Sequence, residues 1–287
     1  MSYNAVIGWP RWTEGFTFTA ASAAAGWEAA NLSSLPLGYV WRSVGLDTAH
    51  TWIKGTSATR RRIGMLGLVR HNFSITARHR LRLYADEAMT VPLYDSGWRD
   101  VWPVVYRSRD LPWEAPNWWS GKYTAEELSG GVWLLPMWLG GRLYVARGLH
   151  WEFADPDNAD GYVQVGLCEI AAGWQVSSNF DYDAGEGFRP RTQLTEAMGG
   201  CIYPELRDKP RVFQGMVRYM DRDEAMARGF EHQRAADLKI PFLWLPHPGE
   251  RRHWVREAFL ARNKSLGLLA YAAKQAQSLP LNFEEVL

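Results

Sequence analysis

Residues 151–170, WEFADPDNADGYVQVGLCEI, constrain the fold more than any other part of the chain. Trp151 and Phe153 alternate with Glu152 and Ala154, the two-residue period of a half-buried strand. Residues 155–161 are dense in turn formers. Val163, Val165 and Leu167 then alternate with Gln164, Gly166 and Cys168. The pattern predicts a β-hairpin with large apolar groups on its inner face. It lies on a composition break, because fourteen of the sixteen tryptophans fall at or before Trp174. A strand pair that ends an aromatic-rich region, in a chain of 287 residues, predicts two domains, 1–172 and 173–287.

The same period recurs upstream. Residues 78–84 place Leu81 and Leu83 on one face and Arg80, Arg82 and Tyr84 on the other, as in an antiparallel strand with one wet side. Residues 95–120 hold Trp98, Trp102, Trp113, Trp118 and Trp119 among Pro103, Pro112 and Pro116, and read as a long aromatic loop. Trp98 and Trp102 flank a strand-like run and are expected to bury in their own domain. Downstream, residues 221–238 form the best helix. Asp221 can cap it, Glu224 completes a capping-box-like pair, and Pro241 stops it. Ala225, Met226, Gly229 and Phe230 are expected to face the second domain's sheet. The fold class is therefore mainly β, with one main helix in the smaller C-terminal part.

A net charge of +1 implies no pull toward nucleic acid or an anionic membrane, and no apolar run reaches spanning length. Two cysteines, Cys168 and Cys201, do not make a disulfide framework and are expected to be free and buried, as suits a reducing cytosol. The N-terminus lacks a basic segment followed by an apolar core, so no leader is expected.

Candidate chemistry is sparse. Arg60-Arg61-Arg62 reads as a charged turn ahead of a phosphate grip. His71, His79 and His150 show no tight metal-ligand spacing and read as packing or surface residues. The acidic run from Asp155 fails the EF-hand count, since Ala159 stands at position five and Asp160 at six. An irregular calcium site at Asp155–Asp160 stays open beside plain turn chemistry. Glu126-Glu127 and Glu284-Glu285 are neighbours in sequence, which does not make the facing pair that glycosidases use. No nucleophile elbow and no phosphate loop is present. No catalytic residue, cofactor or metal is expected.

Two places carry a resemblance. Val40-Trp41-Arg42-Ser43, then His71-Asn72-Phe73-Ser74, then residues 78–86, resemble the galactose-binding-like jelly rolls of siphophage tail proteins, as do residues 151–170. Residues 211–219, the helix and residues 240–246 are similar to the C-terminal part of phage minor tail and distal-tail proteins. The resemblance implies an N-terminal jelly-roll β-sandwich, 1–172, and a tail-component β domain, 173–287. It implies a structural virion protein at the tail tip or baseplate of a long non-contractile tail, assembled in the host cytoplasm. Its partners would be tube, hub or fibre proteins and copies of itself in a ring or trimer. The alternative is a carbohydrate-binding module that contacts host glycans. Trp113, Trp118 and Trp119 are the candidate interface or glycan contacts, since no strand pattern aims them inward.

Overall fold

The alternating segments pair as antiparallel ladders in the computed structural model, which describes residues 4–128, 131–273 and 275–287. Three layers of sheet result. The first runs β2 (Thr17–Ala20), β4 (Trp52–Ile63), β10 (Tyr144–Ala154), β6 (Arg78–Tyr84), β7 (Pro92–Asp95), with β8 (Arg99–Asp100) also on β6. The middle layer is β12 (Leu167–Ala171), β5 (Met65–Val69) and β9 (Leu134–Trp138). The third runs β13 (Trp174–Gln175), β1 (Val6–Ile7), β18 (Phe242–Leu245), β19 (Phe259–Asn263), β21 (Ala276–Glu285), β17 (Arg211–Asp221), β14 (Gly185–Phe188), with β20 (Ala270–Ala273) on β21. Two small ladders stand apart: β3 (Trp41–Arg42) with β11 (Gln164–Val165), and β15 (Gln193–Glu196) with β16 (Ile202–Glu205). The chain is mainly β, as expected, with a jelly-roll-type sandwich formed by the first two layers.

The middle layer is buried on both faces. Leu66, Leu68, Cys168 and Ile170 join Leu149, Trp151 and Phe153 of β10 in the sandwich core. Their neighbours Met65, Val69, Leu134 and Leu167 pack instead on Val6, Leu243, Leu245 and Leu260 of the third layer. Every residue of β5 and β12 is buried, as in a sheet covered on both faces. Each such Leu or Phe contributes roughly 2–3 kcal/mol of burial.

Glycine makes the crossing between layers. β4 ends at Ile63 in the first layer and β5 begins at Met65 in the middle one. A Cβ on Gly64, between them, would lie 2.3 Å from the carbonyl oxygen of Ala172. Gly173, at φ +78°, turns the chain from β12 toward β13, and its Cβ would meet the Trp138 ring at 2.8 Å. The chain changes sheet at residues 172–173, between β12 and β13. β1, from the start of the sequence, also lies in the third layer, where it pairs with both β13 and β18.

Three expectations need correction. Residues 151–170 are not a hairpin. β10 lies between β4 and β6, whereas β12 pairs with β5 in the opposing layer. The turn crosses the edge of the sandwich, and alternation alone does not say which sheet a strand joins. Arg60, Arg61 and Arg62 extend β4 and are not a turn, with Arg61 over the Trp12 ring at 4.8 Å. The helix comprises α-helical Arg222–Glu224, a π-helical stretch Ala225–Phe230 and α-helical Glu231–Ala236. Asp221 caps it by accepting from the Asp223 N–H, but Glu224 accepts from the Trp174 indole at 2.8 Å rather than closing a capping box. The buried side is Ala225, Gly229, His232 and Ala236. Met226 and Phe230 are 45% exposed, because the sheet side admits only small residues: a Cβ on Gly229 would sit 3.1 Å from Leu279.

Two stability measurements follow. Gly64→Ala is expected to lose at least about 2 kcal/mol in urea unfolding, since backbone must move to admit the methyl. A loss near zero would show that the crossing is not tight. Phe230→Ala is expected to lose only about 1 kcal/mol, well short of the 3–5 kcal/mol typical of a buried ring. A core-sized loss would place this side of the helix against the protein.

Candidate functional site

The loop between β8 and β9 is anchored at its base and open at its rim. The Val101 N–H donates to the Ala77 carbonyl, and the Trp102 indole donates to the Phe73 carbonyl at 3.1 Å. Trp102 is buried and meets Trp133 and His71 edge-on. Val105 and Tyr106 both donate to the Gly121 carbonyl, while Gly121 donates to that of Asn117, so the loop closes on itself. Buried Asn117 donates to the Lys122 carbonyl at 2.8 Å, and Lys122 reaches Asp100 at 2.9 Å. Arg256, in a short helix of the C-terminal part (Trp254–Glu257), donates to the Tyr106 hydroxyl and lies over Tyr123.

The expected burial of Trp102 is found, but Trp98 is 38% exposed. Trp113 is 75% and Trp119 93% exposed, whereas Trp118 is half-buried. Trp113 and Trp118 meet edge to face at 5.1 Å. The structure thus groups the three candidates within one short turn, where the Ala115 carbonyl accepts from the Trp118 N–H. Glu114 and Ser120 are exposed beside the rings. The arrangement offers flat apolar faces flanked by hydrogen-bonding groups.

The other motifs resolve into architecture. Asp155 is buried and accepts from the Ser74 N–H and hydroxyl and from the Asn158 amide. Asp157 accepts from Thr76 and Asp160 from Asn72, each at 2.8 Å. The acidic turn is therefore a clasp on residues 72–76, with its carboxylates already engaged. Among the described residues no group of three His, Cys, Asp or Glu side chains could hold a metal. Among them, too, no helix is long and apolar enough to cross a membrane. Glu284 and Glu285 are buried ion-pair partners of Arg189 and Arg211. The buried Arg211 donates further to the carbonyls of Val255, Arg256 and Ala258, an organising role that no sequence motif announces. Cys168 and Cys201 are unbonded. Cys168 is buried, and burial pushes its thiol up and away from reactivity. Cys201 is exposed, contrary to expectation, because it sits in the turn of the β15–β16 hairpin, off the body of the protein.

His71 and His79 are packing residues, as expected. Burial, with each other's proximity adding for His71, holds both rings down at about 3. His79 accepts from the Trp151 indole at 3.1 Å. Glu169 is pushed up to about 7 by burial, although Arg11 sits 2.7 Å away and opposes the shift.

No protein-family model matches the chain, and no curated protein does. Among solved structures, a family 32 carbohydrate-binding module of Clostridium perfringens NanJ, in complex with galactose, superposes at TM-score 0.35 and 9% identity. The match covers 58% of this chain and 98% of that one. A chitosan-binding module of a chitosanase/glucanase from Paenibacillus sp. IK-5 gives 0.36 and 13%, covering 60% and 99%. A family 89 glycoside hydrolase from C. perfringens gives 0.37 and 12%, and there the match covers 56% of this chain but only 14% of the enzyme.

The buried histidines generate a pH dependence. In the unfolded chain they protonate near 6.5, and in the fold only near 3, so their stability contribution is full above pH 6.5 and is lost as pH falls toward 3. His71→Phe, which keeps a ring between Phe73 and Trp102, is expected to flatten the fall in unfolding free energy between about pH 6.5 and 4 by a few kcal/mol. Parallel profiles for the two proteins would show that His71 titrates normally.

Proposed function

We propose that the chain is a non-catalytic binding protein whose tryptophan loop takes up carbohydrate. The observation that carries this reading is the ring group at residues 113–119, with two indoles exposed at 75% and 93% on a turn whose base is closed by hydrogen bonds. A platform already in place loses little freedom when a ligand lands. The C–H faces of a sugar pack on indole as apolar surface, while Glu114 and Ser120 are placed to meet hydroxyls.

A second reading is favoured by a different observation, the exposed apolar hairpin of β15 and β16. Together with the motif resemblance to siphophage tail proteins, it supports a structural virion component at the tip of a long non-contractile tail. There the chain would join tube, hub or fibre proteins, and host glycan would be met during adsorption.

The test uses purified protein on a glycan array and the variant Trp113→Ala/Trp119→Ala. Because both rings are exposed, unfolding free energy should stay within about 0.5 kcal/mol of the parent. Retention on the recognised glycan should fall at least tenfold, which is about 1.4 kcal/mol. No glycan bound by the parent protein, or equal retention by the variant, overturns the carbohydrate reading. Trp118→Ala/Trp119→Ala particles that assemble but adsorb poorly support the carbohydrate reading, and a folded variant left out of tails supports the assembly reading. Normal assembly with normal adsorption rejects both roles for the loop.

A further inference from the structure

The hairpin β15–β16 leaves the third layer at one end of β17. Its register sets Leu194 opposite Pro204 and Glu196 opposite Ile202, so these four side chains share a face. Gln193, Thr195, Tyr203 and Glu205 form the other. All eight residues are exposed, and Leu194 and Ile202 are 68% and 61% so. A lone two-stranded hairpin is marginal in water, and a period-two apolar face is normally covered. Here the base is held instead. Arg189, just before the arm, pairs with buried Glu284, and Arg211, just after it, pairs with buried Glu285. The arm is therefore presented from a fixed root with its apolar side bare.

A second bare surface lies toward the other end of β17, roughly 20–30 Å away at ~3.3 Å per residue. The helix that follows carries Arg222, Met226 and Phe230 at intervals of four, on the side away from the sheet. Gln233 donates to the Gly267 carbonyl and so brings exposed Leu266 and Leu268 to the same helix. The two surfaces are complementary. Each is apolar, the arm face bears Glu196, and the helix side bears Arg222. Among the described residues no ion pair is made by either.

We infer that the apolar face of the β15–β16 arm docks head to tail on the helix side of the third layer in a second copy of this chain. The inference rests on the assembly reading above and names the partner. Two different, mutually fitting patches on one chain make a heterologous contact, in which each copy gives an arm to one neighbour and takes an arm from another. Pairing Glu196 with Arg222 would fix the register, and the apolar groups on either side would lose their water.

The test is sedimentation of the full chain across the micromolar range. The parent is expected to associate. Leu194→Asp/Ile202→Asp removes the arm face, Met226→Asp/Phe230→Asp removes the helix face, and each alone should be monomeric. All four positions are exposed, and circular dichroism with thermal unfolding checks that both variants stay folded. Mixed, the two variants retain one intact arm and one intact helix face between them, so they should form a one-to-one dimer and nothing larger. Glu196→Arg should weaken association at least tenfold, and Arg222→Glu in the same chain should restore it. A parent that stays monomeric overturns the inference. So does a helix-face variant that associates like the parent, which would indicate arm-to-arm pairing. Self-association through these faces by a protein absent from purified tails would sink the assembly reading and leave this contact standing.

Discussion

The architecture depends on a sheet that has no wet face. β5, β9 and β12 are covered by the sandwich core on one side and by β1, β18 and β19 on the other. Such a layer can exist only if the chain passes between sheets without bulk at the crossing. Gly64, Ala172 and Gly173 meet there, with the Gly64 N–H donating to the Ala171 carbonyl. A side chain at Gly64 would push on the Ala172 carbonyl, one residue beyond the end of β12. The two apolar clusters of the N- and C-terminal parts are thus mechanically joined through one tightly packed seam.

Against this frame, most of the polar chemistry that looks functional in the sequence serves to fasten irregular backbone. The acidic turn after β10 grips the segment after β5 through Asp155, Asp157 and Asp160. Arg211 collects carbonyls from the end of a short helix and a carboxylate from the last strand. Buried groups engaged this way are worth most as specificity of arrangement, because any alternative packing would strand a charge. What is left over and solvent-facing is aromatic and aliphatic: the indoles at 113 and 119, the hairpin face and the outer side of the helix.

Period-two alternation was enough to find β6 at Arg78–Tyr84 and to place Leu81 and Leu83 inward, but it set Tyr84 on the wet side, whereas Tyr84 is buried. The tryptophan loop was legible from the opposite signal, aromatics broken by Pro103, Pro112 and Pro116 with no alternation to aim them. Alternation is blind to partner choice, which is why residues 151–170 read as one hairpin while β10 and β12 sit in opposing sheets. The helix was legible from its cap at Asp221, and Ala225 and Gly229 were placed inward correctly, whereas Met226 and Phe230 are exposed. The close approach of Gly229 to Leu279 leaves room there only for small residues, which helical spacing alone cannot tell from large ones. The hub at Arg211 left no local signal, because its partners lie 44 to 79 residues away in sequence.

The placement of β1 has a consequence for how the chain is made. Val6 and Ile7 are made long before the strands that bracket them, Trp174-Gln175 and Trp244-Leu245. β1 must wait until Trp244 and Leu245 are made before its second edge is filled. Contacts of such separation close slowly, and the half-covered middle sheet would meanwhile show Met65, Val69 and Leu167 to water. A growing chain of this topology therefore passes through a long-lived sticky stage, in which a chaperone, or a neighbouring nascent copy, has time to bind before the third layer closes over it.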